Sequence, residues 1–107
     1  MQAPVNDATT AFLRAVRASF SGLAAFVLEE IRSRAWTSVT FSGARHELAF
    51  RIEGDEAEDL AGRFLTGLAT RRFDLRGHIL ADIALLSEER SKGFARIRLE
   101  ALTVEDG

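Results

Sequence analysis

The chain lacks residues on which several kinds of site depend. Its 107 residues include no cysteine, which excludes disulfides and cysteine-ligated zinc. Pro4 is the only proline, so the body of the chain is free of the residue that most often breaks helices and strands. A chain of this length buries roughly two-thirds of its unfolded surface in one core. We therefore expect one domain that folds without covalent or metal cross-links.

Neither sign of charge is in large excess. The 14 lysine and arginine residues stand against 16 aspartate and glutamate residues, which gives a formal net charge of −2. Nucleic-acid binding requires a clustered positive excess that neutralises phosphates, so the composition argues against nucleic acid as a partner. All basic residues except Lys92 are arginines, and alanine is abundant. We associate this bias with a GC-rich bacterial genome.

Long hydrophobic runs are also absent. The uncharged run at 18–28 has eleven residues, whereas a membrane-spanning helix needs about twenty. Arg14 and Arg17 precede this run, as basic residues precede the apolar part of a signal peptide. The run lies well inside the chain, however, and Glu29 and Glu30 follow it at once. The sequence therefore predicts no membrane span and a cytoplasmic protein.

Apolar residues recur at helical spacing in the first third of the chain. They are Phe12, Val16, Phe20, Leu23, Val27 and Ile31. Spacings of three and four place them on one stripe of an amphipathic helix. Asn6 or Asp7 can cap its first turn, so the pattern predicts a helix from there to Arg32. Such a helix would be about 40 Å long, so we expect it either to bend at Ser21 and Gly22 or to extend onto another subunit.

The next segment alternates with a period of two, which predicts a hairpin. Strands at 35–42 and 45–53 flank Gly43 and Ala44, and a leading glycine suits a two-residue type II′ turn. This turn pairs Phe41 with His46 on the buried face. A second helix is predicted to follow, with a capping box at 55–58 and an end near Thr70. Its apolar stripe consists of Ala57, Leu60, Ala61, Phe64, Leu65 and Leu68.

The clearest strand signal lies in the last third of the chain. Odd positions 73, 75, 79, 81, 83 and 85 are apolar, which predicts a strand with one buried face. A polar loop at 87–93 leads to a return strand, and pairing Asp82 with Arg96 sets a register that opposes unlike charges. The buried residues of the return strand occupy odd positions, but Leu102 and Val104 are apolar at even positions. This change indicates a bulge or an edge covered by another chain.

These elements together predict an α+β fold. It is a two-layer α/β sandwich of order α-β-β-α-β-β, with a four-stranded antiparallel sheet and both helices on one face. Residues 1–5 are predicted to be a flexible tail, and residues 6–107 a single α+β domain. The alternation of each strand and the apolar stripe of each helix leave the other face of the sheet open to solvent or to a partner.

No pattern of catalytic, metal-binding or cofactor-binding residues is present. We therefore predict no catalytic residue, no metal ligand and no cofactor. His46 and His78 are the only side chains whose ordinary pKa lies near neutrality, and neither has a nucleophile or second base at an informative spacing. A structural role is favoured for both. His46 nevertheless marks a candidate pocket between the helices and the sheet.

The open face of the sheet is the predicted interaction surface. Its even positions in the second hairpin carry more apolar residues than a small monomer needs, and such patches usually mark association. The candidate interface residues are Trp36, Arg51, Leu80, Ala84, Phe94, Arg96, Arg98 and Leu102. A homodimer is the simplest assembly, because a self-complementary patch requires no second gene product. A second protein is the other possible partner.

The functional prediction is a small bacterial, non-catalytic protein-interaction module that acts as a homodimer. The order of its elements resembles that of small acidic dimeric chaperones of bacterial secretion systems, and the resemblance implies an adaptor or chaperone-like role. The alternative is a small-ligand-binding protein or minor enzyme that uses the pocket near His46.

Overall fold

The computed structural model of the protein describes residues 5–105. The elements are α1 (Val5–Ala18), β1 (Ala25–Thr37), β2 (Ser42–Glu53), α2 (Ala57–Thr66), β3 (His78–Ser91) and β4 (Phe94–Glu105). The four strands form one antiparallel sheet of order β1-β2-β4-β3. The predicted α+β class, element order and antiparallel sheet are confirmed. Residues 1–4 of the predicted tail lie outside the described part of the chain.

The first helix is much shorter than predicted. α1 ends at Ala18, and a series of turns leads to β1. Gly22 adopts a positive φ of 74°, which other residues rarely adopt and which ends the helical path at the predicted weak point. Val27 and Ile31 therefore belong to a strand. Their helical spacing was misleading because β1 contains an extra residue, Glu29. This β-bulge places Leu28 and Ile31, three positions apart, on the same face of the sheet, where a regular strand would place residues two apart.

The first hairpin is confirmed as a pair of strands, but its register and turn were wrong. The turn lies at 38–41 instead of at Gly43 and Ala44, and the Ser38 N–H closes it by donating to the Phe41 carbonyl at 2.7 Å. β1 begins ten residues before the predicted start. His46 pairs with Ser33 instead of Phe41. Gly43 lies within β2, where it pairs with Trp36 on one side and Val104 on the other. The glycine signal therefore reflects close packing, which is described below.

Two β-bulges in β3 reverse the predicted sidedness of part of the second hairpin. The register between β3 and β4 shifts at Ala81 and again at Leu86. As a result Leu80 pairs with Thr103 on the face toward the helices, whereas Ile79 lies on the opposite face. The predicted odd and even faces are therefore wrong for these two residues. The bulge expected after Ala101 is absent from β4 and lies in β3 instead.

The second hairpin is also longer than predicted. Residues 87–91 were expected in a loop but continue β3 as an exposed edge strand, and only Lys92 and Gly93 form the turn. Gly93 has a positive φ of 86°, as a tight hairpin turn requires. Asp82 pairs with Leu102 instead of Arg96, because the two bulges and the short turn displace the whole ladder.

The core lies between the two helices and one face of the sheet. Its centre is a cluster of phenylalanine rings in which Phe20, Phe50 and Phe64 have ring centroids 5.0 to 6.3 Å apart. Each fully buried phenylalanine contributes roughly 2–3 kcal/mol. α2 buries Ala57, Leu60, Ala61 and Phe64, as predicted, but its N-terminus makes no side-chain capping bond and it ends at Thr66. Within residues 5–105, no helix has the length and apolar character to cross a membrane.

Candidate interaction surface

The face of the sheet that points away from the helices is called here the outer face. It carries the odd-numbered residues of β2 and the even-numbered residues of β4, since their neighbours in the sequence are buried under the helices. Cross-strand pairing assigns the residues of β1 and β3 to the same face. Among the described residues, no helix covers it.

Seven of the eight predicted interface residues lie on this face. They are Trp36, Arg51, Ala84, Phe94, Arg96, Arg98 and Leu102. Leu80 does not, because it packs from the helix side against the core. The outer face is divided along the strand direction into two ends of different chemistry.

One end of the outer face is held by ion pairs that converge on Glu29. The bulge in β1 turns Glu29 and Glu30 to the same side of the sheet, because the two residues lie opposite a single partner in β2. The guanidinium groups of Arg51 and Arg96 donate to Glu29 at 3.0 and 2.9 Å. These hydrogen bonds connect three strands, β1, β2 and β4. The bulge is therefore the feature that places an acceptor between two arginines.

Charge shifts follow this geometry. The hydrogen bond from Arg96 is the largest cause that lowers the pKa of Glu29 below its ordinary value of 4.5. A bond from Arg98 likewise lowers the pKa of Glu30, and the guanidinium pKa values of Arg51, Arg96 and Arg98 are raised by their carboxylate partners. Each pair stays charged at neutral pH. Because these groups remain in contact with solvent, each pair contributes little to the stability of the fold.

A second group of ion pairs continues across the middle of the outer face. Arg98 donates to Glu30 and Glu47 at 2.9 and 2.7 Å, and Arg32 donates to Glu47 at 3.1 Å. Arg45 donates to Glu100 at 2.9 Å. The arginines of this region are thus neutralised by neighbouring carboxylates, and a neutralised surface has little attraction for phosphate.

The other end of the outer face is apolar. Its residues, called here the apolar end, are Trp36, Ile79, Leu102 and Val104. Ile79 is 52% exposed, and the other three are partly exposed. The turn beyond this end adds Val39 and Phe41, which are 107% and 55% exposed. No part of the described chain covers this surface.

Gly43 allows the tryptophan ring to lie across β2. A Cβ atom at position 43 would be 2.9 Å from the Trp36 ring carbon Cζ2 and 2.0 Å from the carbonyl oxygen of Thr103. Only a glycine therefore fits between Trp36 and β4. The indole nitrogen is buried by this packing and has no hydrogen-bond partner among the described residues, an arrangement that costs roughly 1–3 kcal/mol. The position of Trp36 is consequently not optimised for the stability of the isolated chain.

Two charged residues beside the apolar end remain without an ion pair. The described strand residues of the outer face include thirteen charged side chains, and eleven of them form ion pairs. These eleven include Glu53 and Glu89, which pair with Arg51 and Arg96. The other two, Arg34 and Asp82, have no such partner within residues 5–105. Arg34 pairs across the strands with Arg45, a like-charged neighbour. Open depressions of about 560 and 340 Å³ share Arg34 and Arg45 in their walls.

His46 lies on the other side of the sheet, in a chain of hydrogen bonds. Its side chain is completely buried and stacks on Phe12 with a centroid distance of 5.6 Å. Thr103 Oγ1 donates to the Ala44 carbonyl at 3.3 Å and therefore accepts from His46 Nε2 at 2.9 Å. Nδ1 is then the acceptor of a hydrogen bond of 2.6 Å from Ser33 Oγ.

This chain continues into α1, because Thr9 Oγ1 donates to Ser33 Oγ at 2.6 Å. It thus joins α1, β1, β2 and β4 through one imidazole. Burial is the main cause that lowers the pKa of His46 to about 4, so the ring is neutral at pH 7. Both ring nitrogens are bonded within the protein, and the ring is not accessible to a ligand. His46 also lies in the wall of the open depression of about 560 Å³, but its side chain has no exposed surface there.

No group of three or more histidine, aspartate or glutamate side chains suited to a metal ion occurs in residues 5–105. Three residues beside the predicted interface were missed: Arg34, Ile79 and Val104. Val104 could have been predicted, because it lies two positions after Leu102 in a strand without a bulge and therefore on the same face. Ile79 carried none, because its side depends on a bulge two residues later in the chain.

No model of a known protein family matches this chain, and no curated protein is significantly similar to it in sequence.

Proposed function

We propose that the protein is a non-catalytic interaction module that binds polypeptide partners through the outer face of its sheet, with a homodimer as its simplest assembly. The observation that carries this proposal is the apolar end. Folding of one chain accounts for the buried helix face, but it leaves Trp36, Ile79, Leu102 and Val104 partly exposed in one contiguous region. Contiguous apolar surface of this kind usually marks association.

The edges of the sheet are poorer binding sites than its face. An unpaired edge strand can recruit another strand, and proteins prevent this with bulges and charged residues. β1 carries a bulge at Glu29, and β3 carries bulges at Ala81 and Leu86. β3 also ends in charged residues. Both edges therefore oppose regular strand addition, which directs partners to the outer face.

The alternative predicted from the sequence, a ligand pocket at His46, gains no support from the geometry. A binding pocket requires polar groups that converge on accessible space, whereas the His46 ring is inaccessible and its nitrogens are both bonded.

The experiment that tests the proposed function uses two matched alanine variants. Trp36→Ala removes the largest side chain of the apolar end, and Leu23→Ala removes an apolar side chain that is 59% exposed in the turns between α1 and β1. Self-association is measured by sedimentation equilibrium, and retention of other proteins is measured by affinity purification from the native host.

We expect Trp36→Ala to lose the self-association or the retained partner, and Leu23→Ala to keep it, while the circular dichroism spectra of both variants remain those of the folded protein. Equal behaviour of the two variants, or a wild-type protein that neither self-associates nor retains a partner, would contradict the proposed function.

A further inference from the structure

We propose that the apolar end binds a second copy of this chain, face to face, about a twofold axis parallel to the strands and located between β2 and β4. This inference rests on the proposed function, because it names the partner and the contacts of the same surface. It starts from the two unpaired charges, Arg34 and Asp82.

Arg34 and Asp82 lie at opposite edges of the sheet in one row. Pairing across the strands runs from Arg34 to Arg45, then to Leu102 and finally to Asp82. Three strand spacings separate the ends of this row, so they are about 14 Å apart and do not reach each other within one chain. They are also the two charged residues of the described outer face that lack an ion pair.

A twofold axis parallel to the strands brings the opposite ends of this row together. The rotation keeps each residue at its height along the strands and exchanges β1 with β3 across the interface. Arg34 of one copy then faces Asp82 of the other, and the same contact forms a second time by symmetry. The like-charged contact between Arg34 and Arg45 is relieved by the carboxylate that arrives from the partner.

The adjacent row is complementary under the same operation. It runs from Trp36 through Gly43 and Val104 to Ile79. The rotation places the indole of Trp36 over Ile79 of the second copy, twice. Because Gly43 has no side chain, the indole extends toward Val104 and the apolar contact continues across the sheet. Two sheets that stack in this way bury apolar rows between them, as in a β-sandwich.

The charged residues on the rest of the outer face limit the size of the contact. Under the same axis Glu47 faces Glu100 of the other copy, and Arg51 faces Arg96. These like charges favour retention of water, so the interface is confined to the apolar end. Its area is then below the roughly 800 Å² per partner of a standard interface, which indicates a weak and reversible dimer.

The test is a charge exchange measured by sedimentation equilibrium over a wide concentration series at low salt. Arg34→Glu and Asp82→Arg each place like charges opposite each other twice, and we expect each to raise the dimer dissociation constant about tenfold or more. The double variant restores opposite charges with their order reversed, and we expect its dissociation constant to lie within about threefold of the wild-type value. Arg14→Glu, on an exposed position of α1, makes the same charge change away from the outer face and should have no effect.

Each outcome supports or overturns the proposal. Restoration in the double variant supports the axis. A dimer that is unaffected by the single variants overturns the proposed axis. The proposed function remains intact in that case, because the same face can also associate about a twofold axis perpendicular to the strands, which would place Arg34 over Trp36 and away from Asp82. A monomeric protein that retains another protein through Trp36 overturns the homodimer alone. A monomeric protein without a partner overturns both proposals.

Discussion

The two faces of the sheet use polar groups in opposite ways. The helix face buries few of them, and the His46 ring bonds through both nitrogens to Ser33 and Thr103. The outer face carries thirteen charged strand residues in contact with water, most of them in ion pairs. A buried polar group without a partner costs roughly 1–3 kcal/mol, whereas an exposed ion pair contributes little. Stability is therefore concentrated on the helix face, and the outer face is free to bind partners.

The largest predicted loss of stability is at Gly43, where one substitution disturbs residues on both faces of the sheet. Gly43→Ala would place a methyl group against the Thr103 carbonyl and the Trp36 ring. Because the Thr103 side chain is also the partner of His46, the strain reaches both faces. We expect a loss of about 3 kcal/mol in the free energy of unfolding, measured by chemical denaturation.

Gly62→Ala is the matched control for this change. A methyl group there would meet only the flexible guanidinium of Arg90, at 3.1 Å, and alanine favours the helix by up to about 1 kcal/mol. We expect unchanged or increased stability. Equal losses for the two variants would show that the close approach at Gly43 is not required.

The next effect is the loss of stability in mild acid, caused by His46. Its pKa is lowered to about 4 in the folded protein from 6.5. Between these two pKa values, His46 binds a proton in the unfolded chain but not in the folded protein. The free energy of unfolding therefore falls as the pH decreases from about 6.5 toward 4. We expect a loss of about 2 kcal/mol between pH 7 and pH 5, measured by chemical denaturation at each pH.

A His78→Gln variant leaves His46 as the only histidine, and it keeps burial, the larger cause of the lowered pKa, while it removes the smaller one, the charge of His78. NMR titration of the His46 ring gives the folded pKa directly. A His46 ring that titrates near 6.5, or a free energy of unfolding that is constant between pH 7 and pH 5, would contradict the prediction.

The smallest effect is expected at the ion-pair end. Glu29 accepts hydrogen bonds from two arginines, whereas Glu89 is paired with Arg96 alone and its side chain is 61% exposed. We expect Glu29→Gln to cost about 1 kcal/mol and Glu89→Gln only a few tenths. The pKa of Glu29 is lowered, so its contribution is present above about 4.5 and is lost as the pH falls through the lower value of the folded state. Denaturation at neutral and acidic pH measures both differences. Equal effects of the two variants would contradict the convergence on Glu29.

The fold class could be predicted from the sequence because each element carries its own apolar periodicity. The stripe of α2 and the alternation of β2 and β4 depend only on residues within one element. Register could not be predicted where it depends on an inserted residue. Glu29, Ala81 and Leu86 look like any other residue in the sequence, yet each changes the side on which its neighbours lie.

Five of the seven interface candidates on the outer face lie in β2 and β4, which contain no bulge, so simple alternation was enough to predict their side. They are Arg51, Phe94, Arg96, Arg98 and Leu102. The pairing of Trp36 with Gly43 was not predicted, because glycine at that position was interpreted as part of a turn. The absence of ion pairs at Arg34 and Asp82 was beyond prediction, since it depends on which side chains three other strands place nearby.

The bulges in β1 and β3 also affect how the protein can change during evolution. In most strands a one-residue deletion is harmful, because it turns every following side chain to the wrong face. Deletion of Ala81 would instead remove an unpaired residue, so Leu80 would still pair with Thr103 and Asp82 with Leu102, and each would keep its face. The bulges are therefore positions at which the length of a strand can change by one residue without reversal of its two faces. Relatives of this chain that lack the extra residue could retain both the same core and the same binding surface.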